Sequence, residues 1–199
     1  MLAVVLLVGC TSAGKTGGSK QTASAAPSAP VATTPPSAPV KPTEVAPVNP
    51  VIRINAGTDA TFTDSSGNVW LSDRGFDGGD VVTRADDMKI ENTKDPALYR
   101  TEHYSMNSFS QPLPNGKYVV KLHFAETWLG VEGPGGRVFS FNVEGHEFKD
   151  FDVWVKAGGP RRAYIETVNV DIADGKLDIT FKSGIDNPEI NGIEIHPAP

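Results

Sequence analysis

The sequence has 199 residues, enough for one ordinary domain with further chain, and its charge is unevenly distributed. The first fifty residues hold three lysines and one glutamate, a net charge of +2, whereas residues 51–199 hold fifteen Lys and Arg and twenty-three Asp and Glu, a net charge of −8. An acidic domain without a basic stripe repels phosphate backbones, which excludes nucleic acid as a partner. A single cysteine, Cys10, excludes a disulfide framework and a cysteine-based metal site.

The first ten residues, MLAVVLLVGC, form an apolar run that ends in Leu7-Val8-Gly9-Cys10. This ending resembles the bacterial lipobox, in which the cysteine is lipidated and becomes the new N-terminus. The run is too short to span a bilayer, and no Lys or Arg precedes it. Residues 1–10 are therefore predicted to be the remnant of a lipoprotein signal peptide that starts upstream of Met1, with Cys10 as the lipidation site on a bacterial cell envelope.

A phosphate-binding loop overlaps this segment, because Gly9–Thr16 matches the pattern G-x-x-x-x-G-K-[ST]. That mechanism needs a helix directly after the loop, whose N-terminal amides hold the phosphates. The residues that follow are rich in Gly, Ser and Thr and predict no helix. The lipobox interpretation is therefore preferred over a nucleotide site.

Residues 11–50 are rich in Ala, Pro, Ser and Thr and contain no aromatic residue, since all sixteen aromatics lie at or beyond Phe62. A segment of this composition buries too little apolar surface to offset the entropy of ordering it. We expect a disordered, semi-extended linker here, which would hold a domain at residues 51–199 away from a membrane.

From Val51 onward, short runs alternate between apolar and polar residues with a period of two, which predicts β-strands. The clearest runs are 117–125, 137–143, 164–172, 176–182 and 190–196. Turn signals separate them at Asn115-Gly116, Glu144-Gly145, Asp174-Gly175 and Asp186-Asn187-Pro188. Strands at this spacing without helices predict an all-β fold, an antiparallel β-sandwich of the jelly-roll type.

Loops at the ends of a sandwich are the expected place for a binding site. Trp128 follows a strand and precedes a Gly-rich loop, where its ring suits either stacking on a sugar or closing the edge of the core. Tyr99 and Tyr104, five residues apart on a strand, would face opposite sides, one in the core and one accessible. Asp186 suits the first position of a turn as well as it suits a ligand contact.

Six blocks in order make the domain similar to the malectin family of carbohydrate-binding modules. The blocks are Val51–Gly57, Asp95–Tyr104, Leu122–Glu126, Arg137–Phe139, Lys149–Asp152 and Asp186–Asn191. The resemblance covers nearly all of 51–199. It implies a malectin-like or galactose-binding-like β-sandwich whose loop-built pocket holds an oligosaccharide, as malectin holds α-linked diglucosides.

The resemblance also implies site residues. The family's pocket tyrosine falls on Tyr104, its aromatic pair on Trp128 and Leu129, and its late aspartate on Asp186. Glu126, which ends the block before this pair, is also expected to contact the carbohydrate. Leu129 replaces an aromatic residue, and Asp86 stands where the family has a further tyrosine. Two stacking faces are thereby lost, so a gluco-oligosaccharide or a related glycan is expected, without specificity for diglucose.

Three functions follow from these observations. A monomeric, non-catalytic sugar-binding module without cofactor or metal is preferred, because the four histidines lack ligand spacing. A protein-interaction or structural domain of the envelope is the alternative. A glycoside hydrolase would require a carboxylate pair such as Glu126 with Asp186 at a catalytic separation.

Overall fold

The computed structural model describes Gly14, Gly18 and residues 50–198. The predicted lipobox with Cys10 and nearly all of the predicted linker lie outside the described residues. Within the described part of the chain, no helix is both long enough and apolar enough to cross a membrane.

The described residues form fourteen short strands and two short helices. The strands are β1 Ile52–Asn55, β2 Phe62–Thr63, β3 Val69–Trp70, β4 Phe76–Asp77, β5 Asp80–Thr83, β6 Thr101–Tyr104, β7 Ser108–Pro112, β8 Gly116–Phe124, β9 Val138–Val143, β10 His146–Phe151, β11 Tyr164–Ile172, β12 Lys176–Ile185, β13 Glu189–Ile190 and β14 Gly192–Pro197. The helices are a 3₁₀ turn at Pro96–Arg100 and α1 at Val153–Ala157.

Two larger antiparallel sheets enclose the main core. One has the strand order β1-β14-β8-β11 and the other β10-β9-β12-β7-β4. Phe124 on β8 of the first sheet lies 6.3 Å from Phe139 and 5.9 Å from Phe141, both on β9 of the second, measured between ring centroids. The core therefore lies between the sheets, and the prediction of an antiparallel β-sandwich is confirmed.

The alternation in the sequence produces this burial directly. On β9, Phe139, Phe141 and Val143 are buried, while the polar side chains between them are only partly covered. The hairpin to β10 turns at Glu144 and Gly145, with φ of 49° and 86°. Positive φ at both central residues is typical of a type I′ turn, whose twist matches that of the two flanking strands.

A polar network lies beside a smaller apolar cluster at the start of the domain. The buried His123 joins the hydroxyl of Tyr99, 2.8 Å from Nδ1, to the carboxylate of Glu194, 3.0 Å from Nε2. His196 also bonds Glu194, at 2.8 Å. The edge of His123 meets Trp70 at 5.2 Å between ring centroids. The hydrogen bonds of His123 therefore connect side chains that are 24 and 71 residues away from it in the sequence.

The segment around Tyr99 differs from the expected strand. Tyr99 belongs to the 3₁₀ turn that Pro96 begins, because proline fixes φ and suits the first turn of a helix. Tyr99 is nonetheless buried, and Tyr104, at the end of β6, is partly exposed. The prediction that one tyrosine lies in the core and the other is accessible therefore agrees with the structure.

Candidate functional site

One end of the domain carries a cavity of about 310 Å³ between the small sheet β13-β6-β5 and the loops that follow β8 and β12. Its volume is at the lower end of the range of about 300–1,000 Å³ for small-molecule pockets. The residues that line it are Val82, Arg84, Glu102, Tyr104, Trp128, Arg137, Asp186 and Asn187.

Strand β6 supplies two of these residues because side chains two apart on a strand share a face. Glu102 and Tyr104 face the cavity, and Val82 on β5 pairs with Glu102 in the sheet register. His103 points to the other face, where its Nδ1 lies 2.8 Å from Asp73. The alternation of β6 therefore separates a cavity face from a structural face.

Trp128 forms an exposed wall of the cavity, with 46% of its surface accessible. Its backbone N–H donates to Glu126 Oε1 at 2.9 Å. The guanidinium carbon of Arg137 lies 5.9 Å from the centroid of the indole, within cation–π range. A Cβ at Gly130 would approach indole Cε2 to 2.6 Å, so only glycine fits there with the ring in this position.

Glu102 holds the floor of the cavity together. Its Oε2 accepts hydrogen bonds from Arg84 at 3.0 Å and from the hydroxyl of Thr127 at 2.9 Å, and its Oε1 accepts from Arg137 at 3.4 Å. Only 2% of Glu102 is exposed. Charge-assisted bonds of this kind fix the two arginines in place under the ligand space.

Glu126 lies beneath the cavity wall. Only 1% of it is exposed, and its Oε2 lies 2.9 Å from Arg137 Nε, an ion pair whose atoms are not aligned as a hydrogen bond. Burial raises the pKa of Glu126 to about 7, against the opposing effects of Arg137 and the Trp128 N–H. The carboxyl that supports Trp128 therefore titrates near neutral pH.

Glu189 is a second buried carboxyl in this region, directly opposite Tyr104 in the register of β13 and β6. It is fully buried, and neither carboxylate oxygen has a hydrogen-bond partner among the described residues. Burial, followed by the nearby charge of Glu102, raises the pKa of Glu189 well above its usual value. The fold therefore favours the protonated form of Glu189 more than water does.

Asp186 occupies the predicted turn and also lines the cavity. Its φ of 63° is left-handed, and its Oδ1 accepts the backbone N–H of Asn187 at 2.7 Å. The strained turn places the aspartate at the cavity edge.

The structure brings Tyr104, Trp128 and Asp186 together on this one cavity, although they are far apart in the sequence. The other predicted site residues lie elsewhere. Leu129, 77% exposed, points into neighbouring depressions, and Asp86 lines a separate one beside Phe62 and Arg100. Glu126 is buried beneath the wall of the cavity, where it contacts Trp128 and Arg137, and it also lines a neighbouring depression.

The predicted site residues did not include five that line the cavity, Val82, Arg84, Glu102, Arg137 and Asn187, or Gly130 beside Trp128. Glu102 and Arg137 each lie in a block of the family resemblance and could have been suspected there. Arg84 and Gly130 carry no local signal, because their roles depend on partners distant in sequence or on the position of a ring.

The chain is similar in sequence to a known domain family and to curated proteins. The family model of the malectin domain matches residues 50–193. A kinesin-like protein of rice, KIN-14E, is 31% identical over 153 residues, which are 72% of this chain and 14% of that protein. The chain thus spans about one seventh of this curated relative.

Two solved structures share the fold at low sequence identity. A β-glucuronidase of Bacteroides uniformis superposes with a TM-score of 0.67 at 22% identity, covering 75% of this chain and 18% of that chain. The extracellular domain of ANXUR2 from Arabidopsis thaliana superposes with a TM-score of 0.64 at 16% identity, covering 73% and 48%.

Proposed function

We propose, since this chain belongs to the malectin domain family, that residues 51–199 form a non-catalytic module that binds an oligosaccharide in the cavity beside Trp128. One observation carries the proposal: the cavity joins two accessible aromatic rings, Trp128 and Tyr104, with the carboxylate of Asp186. Aromatic rings and carboxylates are both groups that interact favourably with sugars.

The chemistry of recognition follows from these groups. The axial C–H groups of a pyranose pack on an aromatic face, and hydroxyls donate to carboxylates. Arg84 and Arg137, held by Glu102, would donate to ring or hydroxyl oxygens. A small, open site of this kind gives modest affinity, roughly micromolar to millimolar.

The carboxyl groups support binding rather than hydrolysis. A glycosidase needs one acid and one nucleophile or base that both reach the scissile bond. Glu102 and Glu126 are at most 2% exposed, and hydrogen bonds or ion pairs within the protein already occupy them. Glu126 is therefore too deeply buried to act with Asp186 as the carboxylate pair that hydrolysis would require.

A titration of the full chain with disaccharides tests the site. We expect a sugar-dependent change in tryptophan fluorescence that Trp128→Ala abolishes while the melting temperature is preserved. Ile165→Ala is the matched control, because Ile165 is equally exposed, at 45%, and lines no described cavity. An unchanged titration in Trp128→Ala would refute the assignment of the site.

We propose gluco-oligosaccharides or related glycans as the ligand class. A glycan array probed with the full chain identifies the sugar and its linkage. Binding to glucose-based glycans supports this class, whereas binding confined to other sugars retains the module and replaces the ligand.

A protein partner is the second candidate, because one solved structure that shares this fold is a complex of the plant peptide RALF23 with FER and LLG2. In that case the exposed Trp128 and Leu129 would contact a protein surface. Capture of a partner that excess sugar does not displace, and that Trp128→Ala weakens, would support this function over the first.

We further propose that the monomeric domain is held outside the cytoplasm by a lipid on Cys10 and a linker at residues 11–50. The lipobox pattern and the Pro-rich composition support this placement. Mass spectrometry of the membrane fraction should find a lipidated Cys10 in the wild type and none in Cys10→Ser. A Cys10 that carries no lipid would refute it.

A further inference from the structure

Trp128 is a wall shared by two cavities. Beyond the cavity already described lies a second one of about 170 Å³, lined by Trp128, Leu129, Val131, Trp154, Pro160 and Arg161 among others. This volume is well below the range of about 300–1,000 Å³ for an independent ligand pocket. The second cavity is therefore suited to a continuation of a ligand that is already held in the first.

We propose that this second cavity is a further sugar subsite, so that the ligand is a glycan chain of three or more units that crosses the edge of Trp128. This inference rests on the proposed function and specifies its ligand by length. The occupant is the next unit of the same chain, because the two cavities share Trp128 as a common wall.

The three tryptophans of the chain differ in a way that points to a ligand. Trp70 is buried, and its indole N–H donates to Asp64 at 3.0 Å. Among the described residues, the indole N–H groups of Trp128 and Trp154 have no hydrogen-bond partner. Each cavity is thus lined by an indole whose N–H is not bonded within the described residues, and an aromatic face suits a pyranose.

Trp154 has a fixed position in its cavity. It lies in helix α1, where Asp152 accepts the N–H of Val155 at 3.0 Å and Gly158 ends the helix in a left-handed conformation. Both ends of the short helix are therefore capped. A capped helix presents the half-buried ring at little further entropic cost on binding.

Arg161 lines the far side of the second cavity in an unfavourable backbone conformation. Its φ is 53°, in the left-handed region, and backbone hydrogen bonds of 2.8 Å to Glu126 and from Glu91 hold it there. Among the described residues, its guanidinium has no hydrogen-bond or ion-pair partner. Strain that the surrounding structure maintains is common at ligand sites, and here it places a free donor beside the cavity.

The path continues past Arg161. Leu129, Pro160 and Arg161 also line a third depression of about 520 Å³, which extends towards Met88 and Lys89. The three depressions form a series with shared walls, so a chain leaving the second subsite has room to continue.

The test is the dependence of affinity on chain length, measured by calorimetry with the full chain. The probes are α-1,4-, β-1,3- and β-1,4-linked glucose oligomers, each from the disaccharide to the hexasaccharide. We expect the third and fourth units to improve affinity by about three- to tenfold, as one more aromatic stacking contact would.

Trp154→Ala should remove this gain and leave disaccharide affinity unchanged. Val155→Ala, its exposed neighbour on α1, is the control and should preserve both. Disaccharide binding without a gain from further units would overturn the subsite and leave the proposed function intact. Equal losses for the disaccharide and the hexasaccharide in Trp154→Ala would also overturn it. Absence of binding to any oligomer of the three series and of the array would overturn the proposed function, and the inference with it.

Discussion

Gly130 lies so near the indole of Trp128, two residues earlier in the same loop, that an added Cβ would overlap the ring. A side chain at Gly130 would overlap the six-membered part of the ring, with 2.6 Å between its Cβ and Cε2 and 2.7 Å to Cη2. The position of the ring over the cavity therefore depends on the absence of one methyl group. This relationship makes the orientation of Trp128 testable without removing the residue.

Gly130→Ala should weaken disaccharide binding by about three- to tenfold, the equivalent of most of one stacking contact. The reason is that the exposed indole must move to admit the methyl group. Gly133→Ala is the control, because a Cβ at Gly133 meets nothing within 4 Å. Isothermal calorimetry measures the affinity, and unchanged binding in Gly130→Ala would show that ring position is unimportant.

Disaccharide affinity should rise between pH 6 and pH 8 in the wild type. Burial raises the pKa of Glu126 to about 7, and only the ionised carboxylate pairs with Arg137 while it accepts the Trp128 N–H. The other acidic groups that interact with Glu126 are Glu102, Asp186 and the buried Glu189. Deprotonation of Glu126 at higher pH therefore strengthens its ion pair with Arg137, and this holds Trp128 more firmly in the wall of the cavity.

Glu126→Gln should abolish this pH dependence and bind at pH 8 as the wild type binds at pH 6. Glu132→Gln makes the same charge change at an exposed position of the same loop and should retain the wild-type profile. A pH profile in Glu126→Gln that matches the wild type would assign the titration to another group.

The free energy of unfolding should fall as the pH is lowered from about 4.5 to about 2. Burial alone would raise the pKa of Glu194, but hydrogen bonds from His123 and His196 outweigh it and hold the pKa at about 2. A carboxyl with a lowered pKa in the folded state stabilises the protein above its unfolded pKa, and this stability is lost on acidification through the folded pKa.

Glu194→Gln should lower stability at pH 7 by about 1–3 kcal/mol and flatten this acid-side loss. Urea unfolding at pH 7, 4.5 and 2.5 measures both effects. Glu147→Gln, at an exposed position on β10, should retain the wild-type acid limb. The same acid-side loss in Glu194→Gln and the wild type would contradict the role of the network.

Gly57→Ala should destabilise the domain by more than about 2 kcal/mol. Gly57 has a φ of 83°, and its Cβ would lie 2.5 Å from the carbonyl carbon of Glu102 on β6. Gly67→Ala is a matched control, because Gly67 has nearly the same φ, 82°, and open space around it. It should lose only about 1 kcal/mol, the cost of the backbone conformation.

Urea unfolding again supplies the measurement for this pair. Because β6 also carries Tyr104, the Gly57 variant should lose sugar affinity as well, while the Gly67 variant should retain it. Equal losses of stability in the two variants would mean that the backbone of β6 tolerates the extra carbon.

Local alternation predicted the longer strands, and the family resemblance predicted the site residues. The run 164–172 became β11 with the predicted bounds, because alternation alone assigns one face to the core. The family resemblance selected Tyr104, Trp128 and Asp186, which line one cavity. The same resemblance assigned Leu129 and Asp86 to the pocket, but the chain path directs them to other depressions.

By itself, the sequence determined the sandwich and the family, because both depend on patterns that are local or ordered along the chain. Only the tertiary structure decided how the cavity is supported. Glu102 fixes Arg84 and Arg137, and Glu126 becomes a group that titrates near pH 7. The physical reason is that hydrogen-bond geometry and desolvation depend on neighbours brought together by folding, and the spacing of residues along a chain does not encode them.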